Sequence, residues 1–180
     1  MDDRKETGEA VFTTTLPIAA YIRPTSSGIG FGADWREFEH GPGYFRIPAG
    51  FQVSVRIRTC GDAQLAQLAK DLTGCAPLVN LILAENRNIT DDGLSVLRDL
   101  PALGGLNLSS CSLTSFGLSF LKPLRHLRWL DISYCNRLLD AGLKHLHDLR
   151  ELELINVQGC VKITNHGVAQ LRRNGLTINR

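Results

Sequence analysis

Leucine and isoleucine recur between residues 51 and 180 at a spacing of 24 or 25 residues. Four aligned units begin at Leu78, Leu103, Leu127 and Leu152. In every unit an aliphatic residue follows three and five positions later, and a glycine comes further on. These aligned positions are Leu81, Leu106, Leu130 and Ile155, then Leu83, Leu108, Ile132 and Val157, then Gly93, Gly117, Gly142 and Gly167. The chain therefore contains an internal repeat, the pattern typical of a solenoid.

Each unit has two halves with different periods. The first half alternates apolar and polar residues, which predicts a short strand. The second half, such as TDDGLSVLRDL (90–100), places Leu94, Leu97 and Leu100 on one helical face. One unit cannot bury its apolar side alone, so we expect neighbouring units to stack and bury each other's leucines.

Partial copies of the pattern lie at both ends of the repeat region. Val55, Ile57 and Cys60 fit an earlier unit, and Leu176 and Ile178 fit a last, truncated one. About six strands and five helices follow from this count. The expected helix N-caps are Thr90, Thr114 and Thr164, with Asp140 doing the same job in its own unit.

The repeated skeleton resembles the leucine-rich repeat family, LxxLxLxx(N/C)xL. The matching stretches are LILAENRNITDDGLSVL, LNLSSCSLTSFGLSFL, LDISYCNRLLDAGLKHL and INVQGCVKITNHGVAQL. Their ending is similar to the cysteine-containing subfamily, with short units of 24–25 residues. The resemblance implies an α/β solenoid over residues 51–180, a horseshoe segment with a parallel sheet on its concave face and helices on its convex face.

Residues 1–50 do not repeat. We expect residues 1–10 to form a flexible tail and residues 11–50 to form a β-rich cap over the first repeat, because an open solenoid end exposes strand edges. A small separate ligand-binding or enzymatic module is the alternative for this segment. The stretch GIGFG (28–32) lacks the Lys-Ser/Thr of a phosphate loop, so we interpret it as a turn.

Composition excludes several classes of function. The net charge of +2 is too small to indicate a nucleic-acid surface. No apolar run reaches the roughly 18 residues of a membrane span, and the polar start is not a secretory signal. Five cysteines without a CxxC pair indicate neither a disulfide framework nor a zinc site, which favours the cytoplasm. We predict no cofactor, no metal and no enzymatic activity, since no catalytic motif is present.

Three cysteines occupy one repeat position, and Asn86 occupies it in the first unit. They are Cys111, Cys135 and Cys160. We expect each thiol to point inward and to meet backbone groups of a loop, as the Asn86 amide would. A redox or metal site is the alternative.

The outward strand residues give the candidate binding surface. Trp129 stands with Arg128, Asp131 and Tyr134 on one strand, and these residue types include those that dominate binding hot spots. The other candidates are Arg56 and Arg58, which form a basic patch, and Asn107 and Asn156. Small residues around Gly105 would leave room for a partner's side chains. Alternatively, Trp129 packs against Leu154 or the cap and binds nothing.

These patterns favour a non-catalytic adaptor or scaffold that binds a protein on its concave surface. The resemblance also implies an alternative, a substrate-recognition subunit of a larger, ubiquitin-ligase-like assembly. The sequence stops after a strand at Arg180, so we expect a second copy of the chain or another partner to cover that strand edge.

Overall fold

The structure is a computed structural model that describes residues 9–27 and 34–180. Ten strands account for its sheets. They are β1 (Ala10–Thr14), β2 (Ile18–Pro24), β3 (Arg36–His40), β4 (Gly43–Ile47), β5 (Phe51–Ile57), β6 (Leu78–Ile82), β7 (Gly105–Asn107), β8 (Trp129–Asp131), β9 (Leu154–Asn156) and β10 (Thr177–Asn179). Residues 1–8 of the predicted tail (1–10) and the stretch GIGFG lie outside the described residues.

The main sheet has eight strands in the order β10-β9-β8-β7-β6-β5-β2-β3. Strands β5 to β10 are parallel neighbours, so six repeat strands are present as the alternating pattern predicts. The predicted register of the last one is wrong, because Ile178 and not Leu176 pairs with Ile155. Strands β2 and β3 extend this sheet beyond β5 with antiparallel pairing. Strands β1 and β4 form a separate antiparallel pair, and β1 begins at Ala10, inside the predicted tail.

Helical segments follow the parallel strands on one side of the sheet. The α-helices are α1 (Asp62–Leu72), α2 (Asp140–Leu143) and α3 (Asn165–Leu171), and the 3₁₀ helices are Thr25–Ser27, Asp92–Asp99, Gly117–Leu121 and Lys144–Leu146. Five helical segments were predicted in the repeats, but the middle ones are wholly or partly 3₁₀. In Asp92–Asp99 and Gly117–Leu121 the buried leucines are spaced by exactly three, which is compatible with a 3₁₀ helix. Leu65, Leu68 and Leu72 in α1 are spaced three and then four, as an α-helix requires.

The core lies between the sheet and the helices. The repeat residues Leu81, Leu106, Leu130 and Ile155 are all fully buried, with 0% of their surface exposed. The leucines of the helical segments pack against them in one continuous cluster that also includes side chains of β1, β2 and β4. The other face of β5–β10 points away from the core. We call it the open face, and it carries the outward side chains of the strands.

A side chain of one repeat is hydrogen-bonded to a threonine of the next. In each case a carboxylate accepts one bond from the threonine backbone N–H and one from its hydroxyl. The pairs are Asp62–Thr90, Asp91–Thr114 and Asp140–Thr164. Leu139 and not Asp140 occupies the N-cap position of α2, so the prediction that Asp140 caps its own unit is wrong. Thr164 does accept from the Gly167 N–H at 3.2 Å, as an N-cap should.

We call each of these aspartate–threonine pairs a clamp. The clamp explains why each repeat has a glycine at a fixed position. A Cβ on Gly93, Gly117 or Gly167 would overlap the clamp carboxylate of the preceding repeat. The hydrogen bond from the Thr164 hydroxyl is the main reason why the pKa of Asp140 lies below its ordinary value. Because that pKa is lowered by folding, the stabilising effect of this clamp is present at neutral pH and lost as the pH falls through the folded-state pKa.

One junction lacks the full clamp, and restoring it is expected to stabilise the protein. Ser115 replaces the aspartate and accepts a single bond from the Leu139 N–H at 3.0 Å, while Leu139 replaces the threonine. Ser115→Asp with Leu139→Thr adds the missing hydroxyl–carboxylate bond, and we expect about 1 kcal/mol more unfolding free energy. Urea denaturation of both single variants and the double variant measures this. Strict additivity of the two singles would contradict a bond between them.

Candidate functional site

The open face is centred on Trp129, which lies flat on the neighbouring strand. Gly105 on β7 pairs with Trp129 on one side and with Asn80 on the other. A Cβ on Gly105 would overlap both the indole ring and the Asn80 side-chain oxygen, so the tryptophan occupies the space above the glycine. Only 3% of Trp129 is exposed. The predictions that Trp129 is exposed and that there is free space around Gly105 are therefore wrong, because the indole ring fills that space.

A polar row beside Trp129 is fixed by its own strands. Asn107, Asp131 and Asn156 each accept, through Oδ1, a hydrogen bond from the backbone N–H two residues later, at 2.9, 2.9 and 3.1 Å. The Asn156 amide also donates to Asp131 Oδ2 at 3.1 Å. Asp131 is buried, and the two asparagines are half-buried. These predicted contact residues are held rigidly in place rather than free in solvent.

Tyr134 occupies a turn at the end of β8 and not the strand face that carries Trp129. Its φ of 59° lies in the left-handed region, and Glu85 (66°) and Ser110 (58°) repeat this conformation in the units before it. The Tyr134 N–H donates to the Gln158 carbonyl at 2.7 Å, which ties the turn to the next repeat. Its ring crosses Gly159, where a Cβ would overlap it, and 60% of the tyrosine remains exposed.

The three predicted arginines differ in their ion pairing and in their exposure to solvent. Arg128 is paired with Glu153 of the next repeat through two of its guanidinium nitrogens, so it is already committed to an ion pair. Arg56 is half-buried on β5, between Ala19 and Ile82 of the adjacent strands. Arg58 follows the same strand and is exposed. The basic patch of Arg56 and Arg58 thus lies at the β5 side of the open face.

The strand-end groove is a feature that the sequence interpretation missed. It has a volume of about 430 Å³ and is lined by Arg87, Ser110, Cys111, Ser112, Tyr134, Asn136 and Arg137. Its signal in the sequence is the length of the second unit. A single residue separates Cys111 from Leu113, whereas two residues separate the corresponding positions of the neighbouring units.

The cysteine row has a structural role, as predicted. Cys111, Cys135 and Cys160 donate from Sγ to strand-end carbonyls of the preceding repeat at 3.2, 3.2 and 3.0 Å. Asn86 makes the equivalent bond from its side-chain amide to the Ile57 carbonyl at 2.9 Å. All five cysteines are free and buried.

Native thiols are expected to be unreactive toward a disulfide reagent at pH 8, because burial raises the pKa of Cys111 and Cys135 to about 12. Because the folded pKa lies above the unfolded one, the free energy of unfolding falls as the pH rises from about 9 toward 12. Reagent titration of native and denatured, non-reduced protein measures the thiols. Fewer than five reactive thiols after denaturation would contradict the structural role.

Within 9–27 and 34–180, no group of three or more His, Cys, Asp and Glu side chains could hold a metal ion. None of the helices in this part of the chain is long and apolar enough to cross a membrane.

Solved structures provide the comparison with known proteins. The chain is similar to an internalin (inlF) from Listeria monocytogenes, with 24% sequence identity and a TM-score of 0.51, over 64% of this chain and 30% of that one. An internalin C2 (inlC2) from the same organism is 21% identical, with a TM-score of 0.37, over 60% of this chain and 53% of that one. No family model and no curated protein matches the sequence. The chain thus spans less than a third of the first internalin. That likeness, together with the parallel repeat sheet, shows a leucine-rich-repeat α/β fold.

Proposed function

We propose that this chain is a non-catalytic interaction module that binds a protein partner on the open face of β5–β10, the concave face of the solenoid. The observation that carries the proposal is that the side chains of this face are held by one another and by their own backbone. Trp129 is locked over Gly105, and the polar row from Asn107 to Asn156 is held by internal hydrogen bonds. A surface that is already ordered loses little conformational entropy when it binds, so its contacts contribute more fully to affinity.

The size of the face indicates how a partner must sit. Six strands spaced by ~4.8 Å span ~24 Å across the sheet, and three outward-facing rows, two residues apart, span only about 13 Å along the strands. A stable interface buries ~800 Å² on each partner, which is more than this flat area offers. The partner therefore extends past the strands over their ends, where Arg58, Tyr134 and Gln158 are exposed.

Affinity capture with matched variants tests the proposal. Trp129 and Asp131 are buried, so the test uses the accessible residues in the variant Arg56→Ala/Arg58→Ala/Gln158→Ala. The control, Lys70→Ala/Lys144→Ala/Gln170→Ala, removes the same charge from exposed positions on the helical side. We expect a protein captured from source-cell lysate by the wild type and the control to be lost with the open-face variant. Equal capture by all three proteins would refute binding at the open face.

Self-association through the edge of β10 and a cytoplasmic location stay predictions. Sedimentation of the purified chain over a range of concentrations measures the first directly.

A further inference from the structure

We propose that the strand-end groove binds an acidic segment of the protein partner, with carboxylate side chains inserted between Arg87 and Arg137. This inference rests on the proposed function and assigns a chemistry to the partner. It also supplies contact area beyond the sheet, which the flat face needs for a stable interface.

The groove exists because the second unit is one residue shorter than its neighbours. The loop at Ser112 has lost one position relative to the loops at Arg87 and at Asn136–Arg137. The flanking loops therefore form the two walls, and Ser110 and Ser112 lie between them. Small hydroxyl side chains at this point leave a depth that a longer loop would fill.

Charge favours an anionic occupant. Arg87 and Arg137 are exposed, and neither forms an ion pair among the described residues. Arg137 donates from Nη1 to the Ser112 carbonyl at 3.3 Å, which fixes its side chain along the groove. No carboxylate lines the groove, and Glu85, in the equivalent turn of the preceding unit, is not among the lining residues. Two guanidinium groups are thus left to bind carboxylates.

The remaining groups match the same chemistry. The hydroxyls of Ser110, Ser112 and Tyr134 and the amide of Asn136 can all donate hydrogen bonds. Arginine binds carboxylates with paired N–H donors, and such charged bonds are about twice as strong as neutral ones. A nucleic acid would require several exposed aromatic side chains for base stacking, and the groove offers Tyr134 alone.

Fluorescence anisotropy with labelled hexaglutamate tests the proposal without the partner. The groove variant is Arg87→Gln/Arg137→Gln. The control variant is Arg150→Gln/Arg172→Gln, which makes the same charge change at exposed positions outside the groove. At physiological salt we expect the groove variant to lose about tenfold or more in affinity and the control to change less than about twofold. Labelled hexaglutamine should not bind.

A second variant tests the shape of the groove with both arginines present. Insertion of one asparagine after Cys111 restores the common unit length and should abolish hexaglutamate binding, with folding checked by circular dichroism. Equal losses in the groove and control variants would overturn the proposal, as would no binding by the wild type at about 1 mM peptide. Tighter binding of a labelled hexathymidylate at the same arginines would replace it with a nucleic-acid site.

The open-face proposal and the groove proposal can be refuted independently of each other. The open-face variant keeps Arg87 and Arg137, so it should still bind hexaglutamate even where it loses the captured partner. Loss of partner capture by that variant, together with no groove-dependent peptide binding, would remove the acidic-segment proposal and leave the interaction module in place. The reverse pattern would leave the groove and remove the open-face site.

Discussion

Trp129→Ala is expected to lower the free energy of unfolding by about 3–5 kcal/mol, the usual cost of truncating a buried tryptophan. The indole is 3% exposed and covers Gly105, so its removal opens a cavity between the side chains of β6 and β8. Urea denaturation followed by circular dichroism measures the change. An expressed variant that fails to bind partners would therefore say nothing about a hot spot unless its folding is shown first.

Tyr134→Ala is the matched control, since it also removes an aromatic side chain but one that is 60% exposed. We expect a loss below about 1 kcal/mol. Gly105→Ala adds a second check, because its Cβ clashes with the indole only when Trp129 is present. The glycine substitution should cost less in the Trp129→Ala background. Equal costs for Trp129→Ala and Tyr134→Ala would contradict the packing described above.

Leu130→Ala is expected to cost about 2–5 kcal/mol, the range for a leucine truncated in a core. Leu130 is fully buried on β8, with a repeat on each side, and the neighbouring units cannot collapse into the cavity without breaking their own stacking.

Ile178→Ala removes an aliphatic side chain from the same repeat position on β10, since Leu130 and Ile178 both pair with Ile155. That residue is half-buried and has a described strand on one side only. We expect its cost to be less than half that of Leu130→Ala, measured by the same denaturation. Equal costs would mean that burial does not depend on a repeat on both sides.

Strand positions and the cysteine row could be predicted because each depends on contacts that every unit repeats. The alternation around Leu106 places its side chain inward in any stacked arrangement, and the ladder position of Cys135 follows from its register. The helix type could not be predicted from the leucine spacing, since a spacing of three occurs both in the 3₁₀ helix Gly117–Leu121 and in the α-helix α3.

The clamp and the packing of Trp129 could not be found by considering one unit at a time. Asp140 and Gly167 are 27 residues apart, yet the carboxylate of one occupies the space that a side chain of the other would need. The outward position of Trp129 leaves exposure or packing open, and a glycine on the neighbouring strand lets the large ring lie sideways. The useful signal was the alignment of Gly105 beside Trp129 in adjacent units.

The 3₁₀ helices have a consequence for curvature. An α-helix needs about 10 Å of width, whereas strands sit ~4.8 Å apart, so α-helical repeats splay apart on their outer side and bend the array. A 3₁₀ helix is more tightly wound and therefore narrower. Between Asp92 and Leu121 both helical segments are of this kind, so we expect the array to bend little there. Such a straight stretch is better suited to a partner that lies flat against the open face than to a partner around which the array would have to curve.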